Sequence, residues 1–239
     1  ILTHTAGIPD TPDELTWDKW IDWDLVVNAM EETVPRFEPG TAIAYHPMNF
    51  GWLIGELVRR IDGRSFPECL RDEITTPLEM NDTYVGLPMA LESRVCKVHA
   101  MQDSLDSLVP VAFNRGQVHQ SIVPGACGIS TARDIARFYA MLERRGTLDG
   151  AQIFLPETVS DLTNLQIEGN DQAEKKLVRR TLGLMLGEYR MGSDGSDYES
   201  FGHGGSGTSI CWANHQLGLA VTIITNGFRG VATNNTRLY

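Results

Sequence analysis

Nowhere in its 239 residues does the sequence hold an apolar run near the roughly 18–20 residues that cross a bilayer as one helix. Basic side chains are scarce: 20 Lys and Arg stand against 31 Asp and Glu, a formal net charge of −11 at pH 7. A nucleic-acid binder needs a basic face to neutralise phosphates, so that class is excluded. The acidic surplus fits a soluble chain kept apart by self-repulsion. Cysteine is also sparse, and Cys69, Cys96, Cys127 and Cys211 form no Cys-x-x-Cys or zinc spacing. They read as free buried thiols, which leans towards a reducing, cytoplasmic compartment. His4, His46, His99, His119 and His215 make no spaced metal set, and no motif asks for a cofactor. The opening residues lack a start methionine, a basic n-region and a long apolar stretch, so they are no signal peptide, and the chain reads as beginning mid-domain.

What is present is ordinary for a globular domain: 42% hydrophobic and 21% charged residues, enough length for a sizeable core. Trp17, Trp20 and Trp23 read as core contacts of a short helix or loop. A helix is expected over 24–33, closed off by Pro35. Phe50, Leu53, Ile54, Leu57, Val58 and Ile61 repeat at helical spacing, and Gly63 stands where a C-terminal cap belongs. Ser65-Phe66-Pro67-Glu68 has the form of a capping box that starts another helix, which ends before Pro77. Residues 81–123 lack periodicity and read as irregular, with a strand or two. Ser130 or Thr131 caps a helix with Ile135, Phe138, Tyr139 and Leu142 on its apolar face, stopped by Gly146. One more helix is expected over 156–166. Past the charged stretch 174–180, three antiparallel strands are expected over 182–189, 208–215 and 217–226. With no repeat or linker, residues 1–239 read as one α+β domain: an antiparallel sheet with flanking helices plus an all-helical region.

Two segments carry candidate chemistry. Tyr45, in Pro39-Gly40-Thr41-Ala42-Ile43-Ala44-Tyr45-His46-Pro47, stands at the mouth of a helix. A phenol with an ordinary pKa near 10 is a poor base at neutral pH and becomes useful beside a cation, so the bland reading is a packing residue. His203-Gly204-Gly205 stands at a strand entrance, where glycines let backbone approach a ligand closely. The Ser206 N–H just after them suits a developing oxyanion; the bland reading is a glycine-rich turn. Ser206 itself is rejected as nucleophile, because Gly-x-Ser-x-Gly needs a strand-to-helix elbow. Ser193-Asp194-Gly195 resembles Ser-Asp-Asn only in composition. A tyrosine and a His-Gly-Gly of this kind suit acyl transfer by a Ser-x-x-Lys serine, and no Ser-x-x-Lys occurs among these residues.

Five stretches, in order, resemble the serine β-lactamase-like family of class C β-lactamases, DD-peptidases and family VIII esterases. They are Leu2-Thr3-His4-Thr5-Ala6-Gly7-Ile8-Pro9; Tyr45 with Phe50-Gly51-Trp52-Leu53-Ile54-Gly55-Glu56-Leu57; Thr76-Pro77-Leu78-Glu79-Met80-Asn81-Asp82-Thr83; the run from Gly125 to Phe138; and His203-Gly204-Gly205. The resemblance implies a serine hydrolase working through an acyl-enzyme on small esters or amides. In that scheme Tyr45 shares proton transfer with the lysine. His203, Gly204 and Gly205 hold substrate, and the Ser206 N–H completes the oxyanion hole. No cofactor, metal, nucleic acid or membrane span is implied, and a homo-oligomer is compatible with it. His203 in place of the family's lysine, and the Tyr-His-Pro run, look most like the esterase branch.

The sequence departs from the family in two places. Pro47 stands where the family has an asparagine, and Asn49 is close but wrongly spaced. The Ser-x-x-Lys of relatives lies upstream of the His-Thr-x-Gly stretch, before residue 1, so the domain reads as truncated at its N-terminus and slightly at its C-terminus. An incomplete sheet then predicts an exposed apolar edge and low solubility for the isolated piece. The alternatives are a non-catalytic scaffold or assembly subunit of the same fold, and an unrelated α+β binding module.

Overall fold

A computed structural model describes residues 1–101, 108–187, 200–205 and 209–228. Helices dominate its first half. After a single 3-10 turn at Trp17–Lys19, α1 (Trp23–Glu32) begins at Asp22, whose carboxylate accepts the Leu25 N–H at 3.1 Å. Helix α2 (Asn49–Asp62) closes at Gly63, where a φ of 85° suits a residue without Cβ. The capping box forms as expected, and α3 (Phe66–Leu70) runs from it into a π-helical turn at Arg71–Thr75.

The aperiodic stretch holds short strands, as expected, but also α4 (Val109–Phe113) and α5 (Gly116–Gln120). Five residues complete too few turns to display a 3.6-residue period. Helix α6 (Ala132–Glu143) is capped by Thr131, whose hydroxyl accepts the Asp134 N–H at 3.2 Å. The last helix among the described residues, α7, is Pro156–Thr163.

The main sheet is a six-stranded antiparallel meander whose spatial order follows the chain: β1 (Ile167–Asn170), β2 (Leu177–Arg180), β3 (Met185–Leu186), β4 (Phe201–Gly205), β5 (Ser209–Asn214) and β6 (Leu219–Ile224). Three strands were expected here and six form. The charged stretch contains β2, and His203-Gly204-Gly205 lies within β4, neither at a strand entrance nor in a turn. Gly202 explains how β4 sits so close to β5: a Cβ there would lie 2.2 Å from the Cys211 carbonyl oxygen. Three two-residue pairs complete the strand content among the described residues: Tyr84–Val85 with Gly128–Ile129, His99–Ala100 with Gly227–Phe228, and Thr147–Leu148 with Ala151–Gln152.

Two large cores, and a small cluster of Ile210 and Trp212 with Val221, hold this α+β arrangement together among the described residues. One lies between α6, α7 and the sheet, with Tyr139, Met141, Leu142, Val159, Leu186, Phe201 and Ala213 buried in it. The other gathers Leu15, Val26, Met30, Trp52, Val118 and Val123, with Trp17, Trp20 and Trp23 packed around them. Strand β6 ends the sheet among the described residues, and its Leu219, Ile223 and Ile224 remain exposed.

The buried face of α2 differs from the apolar stripe. Gly51, Trp52, Gly55 and Glu56 are buried, whereas Ile61 is 83% exposed. Small residues explain the rotation, because they let backbone meet backbone: a Cβ on Gly51 would stand 2.0 Å from the Gly125 nitrogen. Glu56 tolerates burial because Trp23 Nε1 donates to it at 2.8 Å and Arg59 and Arg60 chelate it. Those bonds, Arg59 foremost, hold its carboxyl down to about 2 against the opposing effect of burial. Gly51→Ala overfills a backbone contact, and the expected loss is about 1–3 kcal/mol. A lower urea midpoint at unchanged slope is the expected result; an unshifted midpoint would show that the strap at 124–125 yields freely.

Candidate active site

Backbone bonds fix the chain on both sides of Tyr45. The Ala44 N–H donates to the His4 carbonyl at 3.0 Å, the Tyr45 N–H to Asp171 Oδ1 at 3.2 Å, and the His46 N–H to His4 Nδ1 at 3.2 Å. Three consecutive donors thus go to two residues remote in sequence. Ile43 bridges to Asp171 at the β1–β2 turn, and its carbonyl accepts the Gln172 N–H at 2.8 Å. Asp171 also caps its own turn, accepting from the Ala173 and Glu174 N–H groups.

His4 and His46, both buried beside Tyr45, carry their hydrogens on opposite nitrogens, as their partners require. His46 donates from Nδ1 to the Ala44 carbonyl and accepts the Ile8 N–H on Nε2 at 3.1 Å. Both of its nitrogens serve the fold. His4 accepts on Nδ1 and therefore carries its hydrogen on Nε2. Its backbone lies in the left-handed region at φ 59°, a conformation that costs most residues energy and histidine less than most. Burial, helped by Arg180, His46 and His203 nearby, pushes the His4 pKa down to about 3, so the ring is neutral.

Among the described residues, three polar side chains stand around the half-buried Tyr45 ring. The His4 ring is 4.9 Å away in an edge arrangement, the His203 ring 6.0 Å away, and Arg180 Cζ 5.1 Å from the ring centre. Phe50 closes the far side of His4 at 5.1 Å. Tyr45 and His203, two of the residues singled out from sequence, are therefore brought together. His203 Nδ1 donates to the Gly204 carbonyl at 2.7 Å, which orients the ring. The buried Tyr139 of α6 hydrogen-bonds the His203 backbone and ties β4 to the helix behind it, and burial pushes its phenol pKa up. Gly204 and Gly205 follow in β4, paired with Ile210 and Ser209. Ser206 and the 193–195 run lie outside the described residues. Asn49 is engaged elsewhere: it donates to the Ile8 and Asp10 carbonyls and accepts from Thr11, locking the start of α2.

Two residues of the site escaped the sequence reading. Arg180 is 1% exposed, while Leu177 on the same strand is 62% exposed, the inverse of what hydropathy suggests. The register accounts for it, since Val178 and Arg180 share the buried face of β2. Arg180 is paired with Asp171 Oδ2 at 3.1 Å and Glu174 Oε2 at 2.6 Å. Burial alone would raise the Asp171 pKa; the Glu174 N–H, the guanidinium and the Tyr45 and Ala173 N–H groups outweigh it and hold the carboxyl below its ordinary value. The only sequence signal was the charge of the 174–180 stretch itself, which reads equally well as a solvated face.

Comparison with known proteins places these observations. The chain matches the family model described as Beta-lactamase across residues 1–239. It is 27% identical over 255 residues to the esterase/beta-lactamase LipL of Mycobacterium tuberculosis, an alignment covering 95% of this chain and 57% of LipL. It superposes on a family VIII carboxylesterase with a TM-score of 0.84 at 29% identity, covering 96% of this chain and 64% of that one. A penicillin-binding protein homologue from Caulobacter crescentus gives a TM-score of 0.81 at 29% identity, covering 98% and 67%. The chain thus spans a little over half of LipL and about two thirds of the solved relatives.

The neutral His4 makes a pH prediction. Below about pH 6.5 the unfolded chain takes up a proton there, whereas the folded chain does so only at about 3. Stability therefore falls as pH drops through that window, by at most about 1.4 kcal/mol per pH unit. His4→Asn keeps an acceptor and tolerates the left-handed backbone. Between about pH 7 and 4.5 the variant is expected to lose roughly 2 kcal/mol less than the native chain in urea titrations. Equal losses would show that His4 is not held neutral.

Proposed function

This chain belongs to the beta-lactamase family, and on that premise we propose that it forms part of a serine hydrolase acting through an acyl-enzyme on small esters or amides, carboxylesterase-like in its preference. The single observation that carries the reading is the approach of Tyr45 to His203, rings 6.0 Å apart, with a buried guanidinium beside the phenol. The relatives' names point the same way: one is an esterase/beta-lactamase and one a carboxylesterase.

The nucleophile is a serine of a Ser-x-x-Lys turn, supplied from outside these 239 residues, which contain no such motif. Its oxygen attacks the substrate carbonyl as its proton passes to Tyr45 and the lysine. Collapse of the tetrahedral adduct breaks the bond to the leaving alcohol or amine, which takes that proton. Water then attacks the acyl-enzyme by the same route, releasing the acid and restoring the serine. His203 contacts the substrate's polar group beside Gly204 and Gly205, and the Ser206 N–H joins the nucleophile's own N–H in the oxyanion hole, where one donor is worth about 3–4 kcal/mol. Because Pro47 replaces the family's asparagine and Asn49 is bonded elsewhere, amide recognition lacks its usual partner, which favours esters.

The second reading, a scaffold or assembly subunit of the same fold, is separated from the first by covalent labelling. Intact-mass spectrometry of the native polypeptide, before and after a serine-reactive fluorophosphonate, is expected to show one adduct. No adduct on this polypeptide or on a companion chain would leave the fold without an enzyme. In a labelling-competent protein, Tyr45→Phe is expected to slow acylation by about 10²–10⁴-fold with an unchanged melting temperature. Unchanged turnover would remove Tyr45 from the chemistry.

A further inference from the structure

Arg180 is more than a buried ion-pair partner. We infer that its guanidinium is a positioning group for Tyr45, holding the phenol ring towards His203 and favouring its phenolate form; the inference rests on the reading of Tyr45 as proton carrier.

A guanidinium this deeply buried is costly unless paired, and the pairing here is unusual in what it shares. Asp171 takes the Arg180 Nη2 on Oδ2 and the Tyr45 N–H on Oδ1. One carboxylate therefore fixes both the backbone of the tyrosine and the cation at its ring. Asp171 and Glu174 both accept from Nη2, and Nε, although buried, has no partner among the described residues. The pairing thus leaves part of the guanidinium unused by the β1–β2 turn. Cζ stands 5.1 Å from the ring centre, inside the roughly 6 Å over which a cation is drawn to an aromatic face. Deprotonation adds a full negative charge to that ring, so the attraction grows as the proton leaves.

Every charged or titratable group facing Tyr45 among the described residues bears on this balance. From the N-terminal segment, His4 presents a neutral ring; from α2, Phe50 adds no charge beside His4. His46 is adjacent in the chain and engaged at both nitrogens. From β4 comes the His203 ring. The two carboxylates of the β1–β2 turn oppose phenolate formation, but Asp171 is occupied at the backbone end of Tyr45, and Glu174 by Arg180 with Lys176 at 3.7 Å. Among the described residues, Arg180 is a cation at the ring itself.

The test reads Tyr45 ionisation directly, without turnover. The native polypeptide is labelled with 13Cζ-tyrosine and titrated by NMR, the Tyr45 signal being the one lost in Tyr45→Phe. In Arg180→Met the Tyr45 midpoint is expected to rise by about one pH unit or more, a tenfold change in its ionisation constant. If that variant does not fold, because two carboxylates lose their partner, Arg180→Lys answers the same question. It keeps a charge beside Asp171 and Glu174 but withdraws the planar group from the ring, and a smaller rise in the same direction is expected. An unmoved Tyr45 midpoint in a folded variant, with the other tyrosine signals unchanged, would overturn the inference. The fluorophosphonate experiment fails or succeeds independently, so a failure of the hydrolase reading and a failure of the role of Arg180 are told apart.

Discussion

The carboxylate of Asp171 is the joint on which the site depends. It is buried at the turn between β1 and β2, 126 residues away in sequence from the Tyr45 N–H that it accepts. With its other oxygen it holds Arg180, and with the first it also closes its own turn. Burying an acid in this way is unfavourable until its acceptor capacity is filled. Here it is filled by main-chain N–H groups and a guanidinium, so the charge persists and the loop at 43–46 is tied to the sheet. Without that joint, the Tyr45 N–H and Arg180 would both lose the acceptor that they share.

From the opposite side, His4 plays the complementary part. It supplies one backbone and one side-chain acceptor to the residues flanking Tyr45, and it does so from a left-handed backbone in a ring that burial keeps neutral. Helix α6 braces the third wall through Tyr139, which reaches the His203 backbone. Tyr45 is thereby set among three parts of the fold, and the precision that the proposed proton transfer demands would come from packing rather than from the phenol itself. The proposed chemistry follows from that arrangement: a proton carrier between a buried cation and a histidine on a strand edge of glycines.

How much of this could be read beforehand depended on whether a signal was local. Helices α2, α3 and α6 were legible because caps are short-range chemistry: Gly63, Ser65 with Glu68, and Thr131 each satisfy ends that only those residue types satisfy. The face that α2 buries was not legible, since Gly51 and Gly55 carry no hydropathy and act through close approach, Gly51 to the backbone at 124–125 and Gly55 to the Trp23 ring. Tyr45 and His203 stood out through their neighbours in sequence. Asp171 and Arg180 did not, because a buried arginine is defined by partners that the linear order hides, and Leu177 beside it pointed the wrong way. Strand β4 was missed for a similar reason: a His-Gly-Gly run suggests a strand entrance or a turn until β5 supplies its ladder.

The most direct test of the account is a crystal structure of the native polypeptide carrying a phosphonate on its reactive serine. The account predicts the phosphonyl group between Tyr45 and His203, with the Tyr45 hydroxyl about 3 Å from the serine oxygen and Arg180 still at the tyrosine ring. An adduct seated away from both residues, or a Tyr45 ring turned out of reach of the serine, would contradict it.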